Sequence, residues 1–204
     1  MNHLPGLDLL RAIAIVWVML FHSFLVGGLG ADFAWLSRFG WAGVDIFFVL
    51  SGFLIGTQVL QQLQRGQGFS LGGFYARRAW RILPAFAVVL ALYVAFPALR
   101  EVPGLQPWWQ FATFTVNLLI DYEHNPAFSH AWSLCVEEHF YLVFPLLAWA
   151  LSRRASAPRV LIAFAVVVLG GIALRGATWL HFEAIDPSRD WFVEKIYYPT
   201  WMRL

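Results

Sequence analysis

Five stretches of this chain are apolar for the length a helix needs to cross a bilayer, and no other feature narrows the fold as much. A helix rises about 1.5 Å per residue and the hydrocarbon core is about 30 Å thick, so a span takes about 20 mostly apolar residues. Leu9 to Val26, Trp41 to Leu60, Ile82 to Leu99, Leu134 to Leu151 and Val160 to Leu180 come close to or meet that requirement. Trp108 to Ile120, at about 13 residues, has the length of a buried or re-entrant segment. The expected fold is therefore all-α: a polytopic transmembrane helix bundle with about five full spans plus one short or re-entrant segment. Composition agrees. The 204 residues are 60% hydrophobic and 13% charged, against about 45–50% apolar and about 25% charged in soluble domains. The 11 Trp and 19 Phe suit a protein that meets lipid headgroups.

Charge placement gives an orientation. Lys and Arg in short loops favour the cytoplasm, and Gln61 to Arg81 carries Arg65, Arg77, Arg78 and Arg81. That loop is expected inside, which puts the N-terminus inside and Gly27 to Gly40 outside, in a multi-pass protein of the cell (inner) membrane. If Trp108 to Ile120 enters and returns, the basic loop with Arg153, Arg154 and Arg159 also falls inside. The first apolar run lacks a basic leader and is followed by further spans, which argues against a cleaved signal peptide despite Gly28, Gly30 and Ala31. A net charge of +2, with basic residues scattered between apolar runs, gives no nucleic-acid footprint. The single cysteine, Cys135, excludes an intrachain disulfide. No repeat or long linker appears, so residues 1–204 are expected to form one membrane domain. The aromatic and basic cluster at Trp201, Met202 and Arg203 looks like the flank of a further span, so the domain is expected to be incomplete at its C-terminus.

Ionisable side chains inside spans are costly and are functional suspects by default. Arg11 and His22 are eleven positions apart on the first span, within about 20° of one face and about 16 Å apart along the axis. Snorkelling to the headgroups is the competing reading for both. Asp45 is a carboxylate in the apolar run Gly43 to Phe48, and it calls for a partner such as Arg175 or His22. A structural ion pair is its plainer reading. Gly43, Ser51 and Gly52 permit close helix approach. Arg78 and Arg81, at i,i+3 spacing, can together hold one anionic group through guanidinium forks suited to phosphate; Arg77 stands beside them, and an anchor on anionic lipid is the alternative. Glu137 and Glu138 open the span after Ser129, His130, Ala131, Trp132 and Ser133. They point about 100° apart, so both cannot face one cavity centre, and either could serve only the helix dipole. Cys135 and His139 have i,i+4 spacing but fall short of a metal set, so no metal is expected. The orientation places His22, Asp45, Glu137, Glu138 and Arg175 in the outer half and the arginines on the inner rim.

These residues resemble the acyltransferase-3 family of polytopic O-acyltransferases. The resemblance rests on Arg11 and His22; on Gly43-Val44-Asp45-Ile46-Phe47-Phe48-Val49-Leu50-Ser51-Gly52-Phe53-Leu54-Ile55; on Arg78 and Arg81 before Leu83-Pro84; and on Trp132-Ser133-Leu134 followed by Val136-Glu137-Glu138. It implies an acyl-CoA co-substrate, often acetyl-CoA, taken from the cytoplasm with no tightly bound cofactor. It also implies a hydroxyl acceptor beyond the membrane, such as a surface polysaccharide or lipopolysaccharide sugar. By that resemblance His22 is the catalytic histidine with Arg11 its companion, and Arg78 with Arg81 binds the donor, Ser51 assisting. Glu138 or Asp45 orients the imidazole, and Trp132, Ser133, Glu137 and Arg175 support the acceptor side. Two departures stand out: His139 replaces the family's usual Gln, and the family has about ten spans, of which this chain resembles the first half. The expected chemistry is general-base activation of the acceptor hydroxyl by His22, or a two-step route through an acyl-histidine. The rival class is a transporter or ion-conducting protein using the same intramembrane charges. Membrane lipid and a carbohydrate or other hydroxyl acceptor are the expected partners.

Overall fold

The computed structural model describes residues 5–23, 27–28, 30, 32, 35, 39–64, 70–153 and 156–202. Val26, Ala31, Arg65, Arg154 and Arg203, which entered the reading above, lie outside them. Among the described residues the long elements are all helices: α1 Pro5–Phe21, α2 Ala42–Gln64, α3 Leu71–Ala95, α5 Trp132–Ser152 and α6 Ala157–Ile185, with one short α-helix, α4 Trp108–Ala112, and two 3-10 turns, Pro97–Leu99 and Ser129–Ala131, between α3 and α5. No strand forms among them, and Leu105 makes only isolated bridges to Pro126 and Ala127. Helices α2, α3, α5 and α6 are long and apolar enough to cross a membrane. The first, α1, has 17 residues.

The helix ends follow from local chemistry. The Ser70 hydroxyl accepts the Gly73 amide at 3.1 Å, an N-cap that starts α3 eleven residues before the apolar run does. Nothing between Ser70 and Ile82 breaks a helix, so Arg77, Arg78 and Arg81 ride within α3 rather than on a loop. Pro97 stops it, since the residue before a proline is pushed out of the helical region, and Phe96 lies outside that region (φ −125, ψ 84). A proline in the first turn also opens α6, where its missing N–H costs nothing.

Contacts divide the chain into two compact units, Met1–Gln61 and Gln62–Leu204. In unit 1, α1 and α2 approach closely at Gly43: a Cβ placed there would lie 2.7 Å from the Ala14 carbonyl oxygen and 2.8 Å from Val18 Cγ2. The expectation of close approach thus holds at Gly43, whereas a Cβ at Gly52 would meet nothing within 4 Å.

In unit 2, α3 and α5 run antiparallel. The Tyr75 hydroxyl near the start of α3 donates to the Leu142 carbonyl of α5 at 2.9 Å, and at the other end Tyr93 stacks on Phe128 at 4.3 Å. The start of α3 and the end of α5 therefore share one end of the unit. Trp108 to Ile120 accordingly forms no helix of spanning length: α4 is only five residues, about 7.5 Å long, and turns follow it. Residues 96–131 instead build a cap on the ends of α3 and α5. Its core is Leu90, Phe111, Val116, Phe128, Ala131 and Cys135, with Phe86, Tyr93, Leu105 and Phe114 packed against it. After α6 the chain returns to this cap, where buried Asn117 donates to the Tyr198 carbonyl at 3.3 Å and the Thr200 hydroxyl at 2.7 Å. No residue of α6 is buried, as expected of a helix whose solvent is lipid.

Candidate active site

In unit 1 the candidate residues sit on α1, just beyond it, and on α2. Arg11, in the second turn of α1, pairs with Asp8 at 3.5 Å. Half-buried His22 follows the last residue of α1, where the final helical carbonyls have no intrahelical donor. Its Nδ1 lies 2.9 Å from the Val18 carbonyl oxygen. A carbonyl can only accept, so Nδ1 carries the proton, and in the neutral imidazole Nε2 is then the basic nitrogen. The partner at Nδ1 is thus a backbone carbonyl, and a histidine at a helix C-terminus is the signal that could have indicated it. Half-buried Asp45 stands in the first turn of α2, where the helix dipole favours a carboxylate, and Ser51 lies half-buried further along the same helix.

In unit 2 the structure gathers residues that the sequence reading had set at opposite faces of the membrane. Arg78 is half-buried, its guanidinium carbon 4.4 Å from the centroid of the Tyr141 ring and 5.9 Å from that of Phe74. The charges acting on it are those of Arg81, Glu137 and Glu138. Glu137 accepts a 3.3 Å hydrogen bond from the Tyr141 hydroxyl. The Glu138 oxygen Oε1 is buried without a hydrogen-bond partner among the described residues. Arg78, Tyr141, Glu137 and Glu138 therefore form one polar cluster at one level of the bundle, so the separation of an inner arginine rim from outer carboxylates does not hold. The cause is the early start of α3, which carries Arg78 along the helix to the level of Tyr141. Arg77 and Arg81 are exposed, so the i,i+3 pair is split between an inward and an outward guanidinium. Tyr141 was not singled out from the sequence; its ring, four residues from Glu137, becomes informative only once α3 lies beside it.

The other predicted residues hold the cap. Trp132 is buried against Tyr197 and Tyr198, with ring centroids at 4.9 and 5.2 Å. The Ser133 hydroxyl donates to the His130 carbonyl at 3.2 Å. Arg175 donates through Nε to the Met202 carbonyl, which ties α6 to the returning chain rather than to a bundle carboxylate. Cys135 is fully buried in the cap core. His139 Nδ1 is 2.6 Å from the Thr200 hydroxyl, whose oxygen also accepts from the Asn117 amide. The sequence reading had not assigned Asn117, Thr200 or Glu101 any role. The Glu101 carboxylate, half-buried between α3 and the cap, accepts the Phe128 amide at 2.8 Å. Burial alone would push its carboxyl up, but the backbone amides of Glu101 and Phe128, the Tyr93 hydroxyl and nearby His130 outweigh it and hold it below the usual carboxylate range.

Compared with known proteins, residues 4–189 match the model of an acyltransferase domain family. The chain is 30% identical over 208 aligned residues to the peptidoglycan O-acetyltransferase OatA of Listeria monocytogenes, covering 94% of this chain and 31% of that protein. It is 32% identical over 205 residues to the O-acetyltransferase OatA of Staphylococcus aureus, covering 94% of this chain and 32% of the relative. It thus spans about a third of the length of these curated relatives. No solved structure matches.

Proposed function

The chain belongs to the acyltransferase-3 family of acyltransferase domains, and from that membership we propose that it transfers an acetyl group from acyl-CoA on the cytoplasmic side to a hydroxyl of an extracytoplasmic cell-surface polymer. The activity for which its relatives are named, O-acetylation and in one case of peptidoglycan, favours a cell-wall glycan as acceptor over the lipopolysaccharide sugar considered from the sequence. The observation that carries the reading is His22. Its Nδ1 proton is committed to the Val18 carbonyl at 2.9 Å, which fixes the tautomer in which Nε2 is a base.

In this reading Nε2 of His22 takes the proton of the acceptor hydroxyl as its oxygen attacks the thioester carbonyl, and the CoA thiolate leaves. Arg11, on the helix that His22 follows, helps position the thioester through its planar guanidinium. The exposed Arg81 engages donor phosphate together with Arg78, whose ring contact with Tyr141 stiffens the guanidinium. Ser51 assists the donor. Asp45 supports the catalytic centre electrostatically, Glu137 and Glu138 stand with Arg78 in unit 2, and Trp132, Ser133 and Arg175 maintain the acceptor end. The arginine-bearing end of unit 2, with Arg77, Arg153 and Arg159, is the cytoplasmic end by the positive-inside rule, so the cap faces outward and the N-terminus inward.

The test compares His22→Ala and His22→Gln with wild type in membranes of matched protein abundance. Removal of a positioned base predicts a loss of transfer on the order of 10²–10⁴ with acyl-CoA affinity unchanged. Near-normal turnover in both variants would refute the assignment of His22.

A further inference from the structure

We propose that the cap carries an acceptor-binding site in which His130 receives a hydroxyl of the glycan acceptor and Glu101 sets the His130 ring, an inference that rests on the acyl-transfer reading above. Two residues far apart in sequence meet here. Glu101 Oε1 lies 3.8 Å from His130 Nδ1, with the glutamate side chain 17% exposed and the histidine 46% exposed. The carboxylate is thus held inside while the ring reaches the surface, as a recognition group needs. The same Oε1 accepts the Phe128 amide at 2.8 Å, so Glu101 fixes the backbone two residues before the ring that it faces.

That backbone is unusual. Phe128 has φ +58, a left-handed conformation uncommon for a bulky residue and frequent at functional sites. It is kept there by stacking on Tyr93 at 4.3 Å and Phe111 at 5.3 Å. On the other side, the Ser133 hydroxyl holds the His130 carbonyl. The turn bearing the imidazole is therefore fixed from both flanks, and the second Glu101 oxygen, Oε2, is buried without a hydrogen bond of ordinary geometry among the described residues. With Nδ1 facing the Glu101 carboxylate, Nε2 is the nitrogen that meets the acceptor, and on a neutral ring it accepts a hydrogen bond from a sugar hydroxyl. The 3.8 Å gap is longer than a hydrogen bond, and contacts of this kind commonly tighten when substrate binds. The cap also lies at the end of unit 2 away from Arg77, Arg153 and Arg159, which is the side where the proposed acceptor is found.

His130 is an acceptor-binding residue in this proposal and Glu101 a positioning residue. The full-length protein in membranes is assayed with acetyl-CoA and soluble glycan fragments of peptidoglycan, reading acceptor KM, kcat, acetyl-CoA affinity and thermal stability. His130→Ala should raise the acceptor KM about tenfold, the loss of one hydrogen bond at about 1.4 kcal/mol, with acetyl-CoA affinity and stability kept. His130→Gln should recover part of the loss, because its amide also donates and accepts. Glu101→Gln, which still accepts the Phe128 amide but lacks the charge, should raise the acceptor KM by a smaller factor. An unchanged acceptor KM in His130→Ala overturns the proposal. So does a loss of stability with Gln no better than Ala, which would make the pair structural. If wild type transfers no acetyl group at all, the acyl-transfer reading falls and this inference with it.

Discussion

The contact between α1 and α2 at Gly43 can be tested by one methyl group. A Cβ added at Gly43 would stand 2.7 Å from the Ala14 carbonyl oxygen and 2.8 Å from Val18 Cγ2. Carbon–oxygen contacts between packed helices settle at about 3.3–3.6 Å and carbon–carbon contacts at about 3.5–4.0 Å, so each contact falls short by at least about 0.6 Å. Val18 can rotate its methyl aside; the Ala14 carbonyl belongs to a helical backbone and cannot. Gly43→Ala must therefore move α1 off α2 by some tenths of an ångström, and overpacking of this kind costs about 1–3 kcal/mol. Gly52→Ala is the control, since its Cβ would meet nothing within 4 Å. There the change replaces a poor helix former by the best and should be neutral or favourable by up to about 1 kcal/mol. Thermal unfolding of the purified protein in detergent, with both variants side by side, reads the difference: Gly43→Ala should melt below wild type and Gly52→Ala should not. Because α1 carries Arg11 and α2 carries Asp45, Gly43→Ala should also reduce turnover. Equal melting of Gly43→Ala and wild type, or equal damage at the two glycines, would refute the packing argument.

Four further outcomes can be checked. Arg81→Ala should weaken acyl-CoA binding at unchanged thermal stability, whereas Arg78→Ala should lower both, because only Arg78 is seated on Tyr141; equal stability losses would contradict the split. Tyr141→Phe keeps the ring beneath Arg78 and should retain most of the stability that Tyr141→Leu loses, by about 0.5–2 kcal/mol for a cation–π contact, read from melting curves. His124, hydrogen-bonded to Asp121 at 2.9 Å, has its pKa raised above 6.5 chiefly by that bond. A raised folded value stabilises below the unfolded pKa and fades as pH rises through the folded one, so its NMR titration should lie above 6.5 and drop in Asp121→Asn. Reporters inserted after Gln64 and after Ser156 should report the same, cytoplasmic side, since α3 begins where α5 ends; opposite sides would mean that residues 96–131 cross.

The sequence alone determined the solvent, and with it the fold class. Apolar runs of about 20 residues have nowhere to go but a bilayer, and there the backbone can satisfy itself only as helix or closed barrel. Length also marked Trp108 to Ile120 as a candidate for a buried or re-entrant segment, and the order of Arg11, His22, the Gly43 to Ile55 run, Arg78, Arg81 and Trp132 to Glu138 pointed to the family. Hydropathy could not locate the start of α3, because a polar N-terminal turn is as helical as an apolar one once Ser70 caps it. That shift of eleven residues decided which groups meet: it set Arg78 beside Tyr141, Glu137 and Glu138, which charge counting alone had placed at opposite faces. Likewise the Nδ1 partner of His22 is a main-chain oxygen, and a backbone group carries no sequence signature of its own. Glu101 and His130 are 29 positions apart, and only the cap, closed by aromatic stacking around a left-handed Phe128, brings carboxylate and imidazole within 3.8 Å. Local chemistry writes the helices; which side chains become neighbours depends on how antiparallel helices register, and that is settled by packing across the bundle.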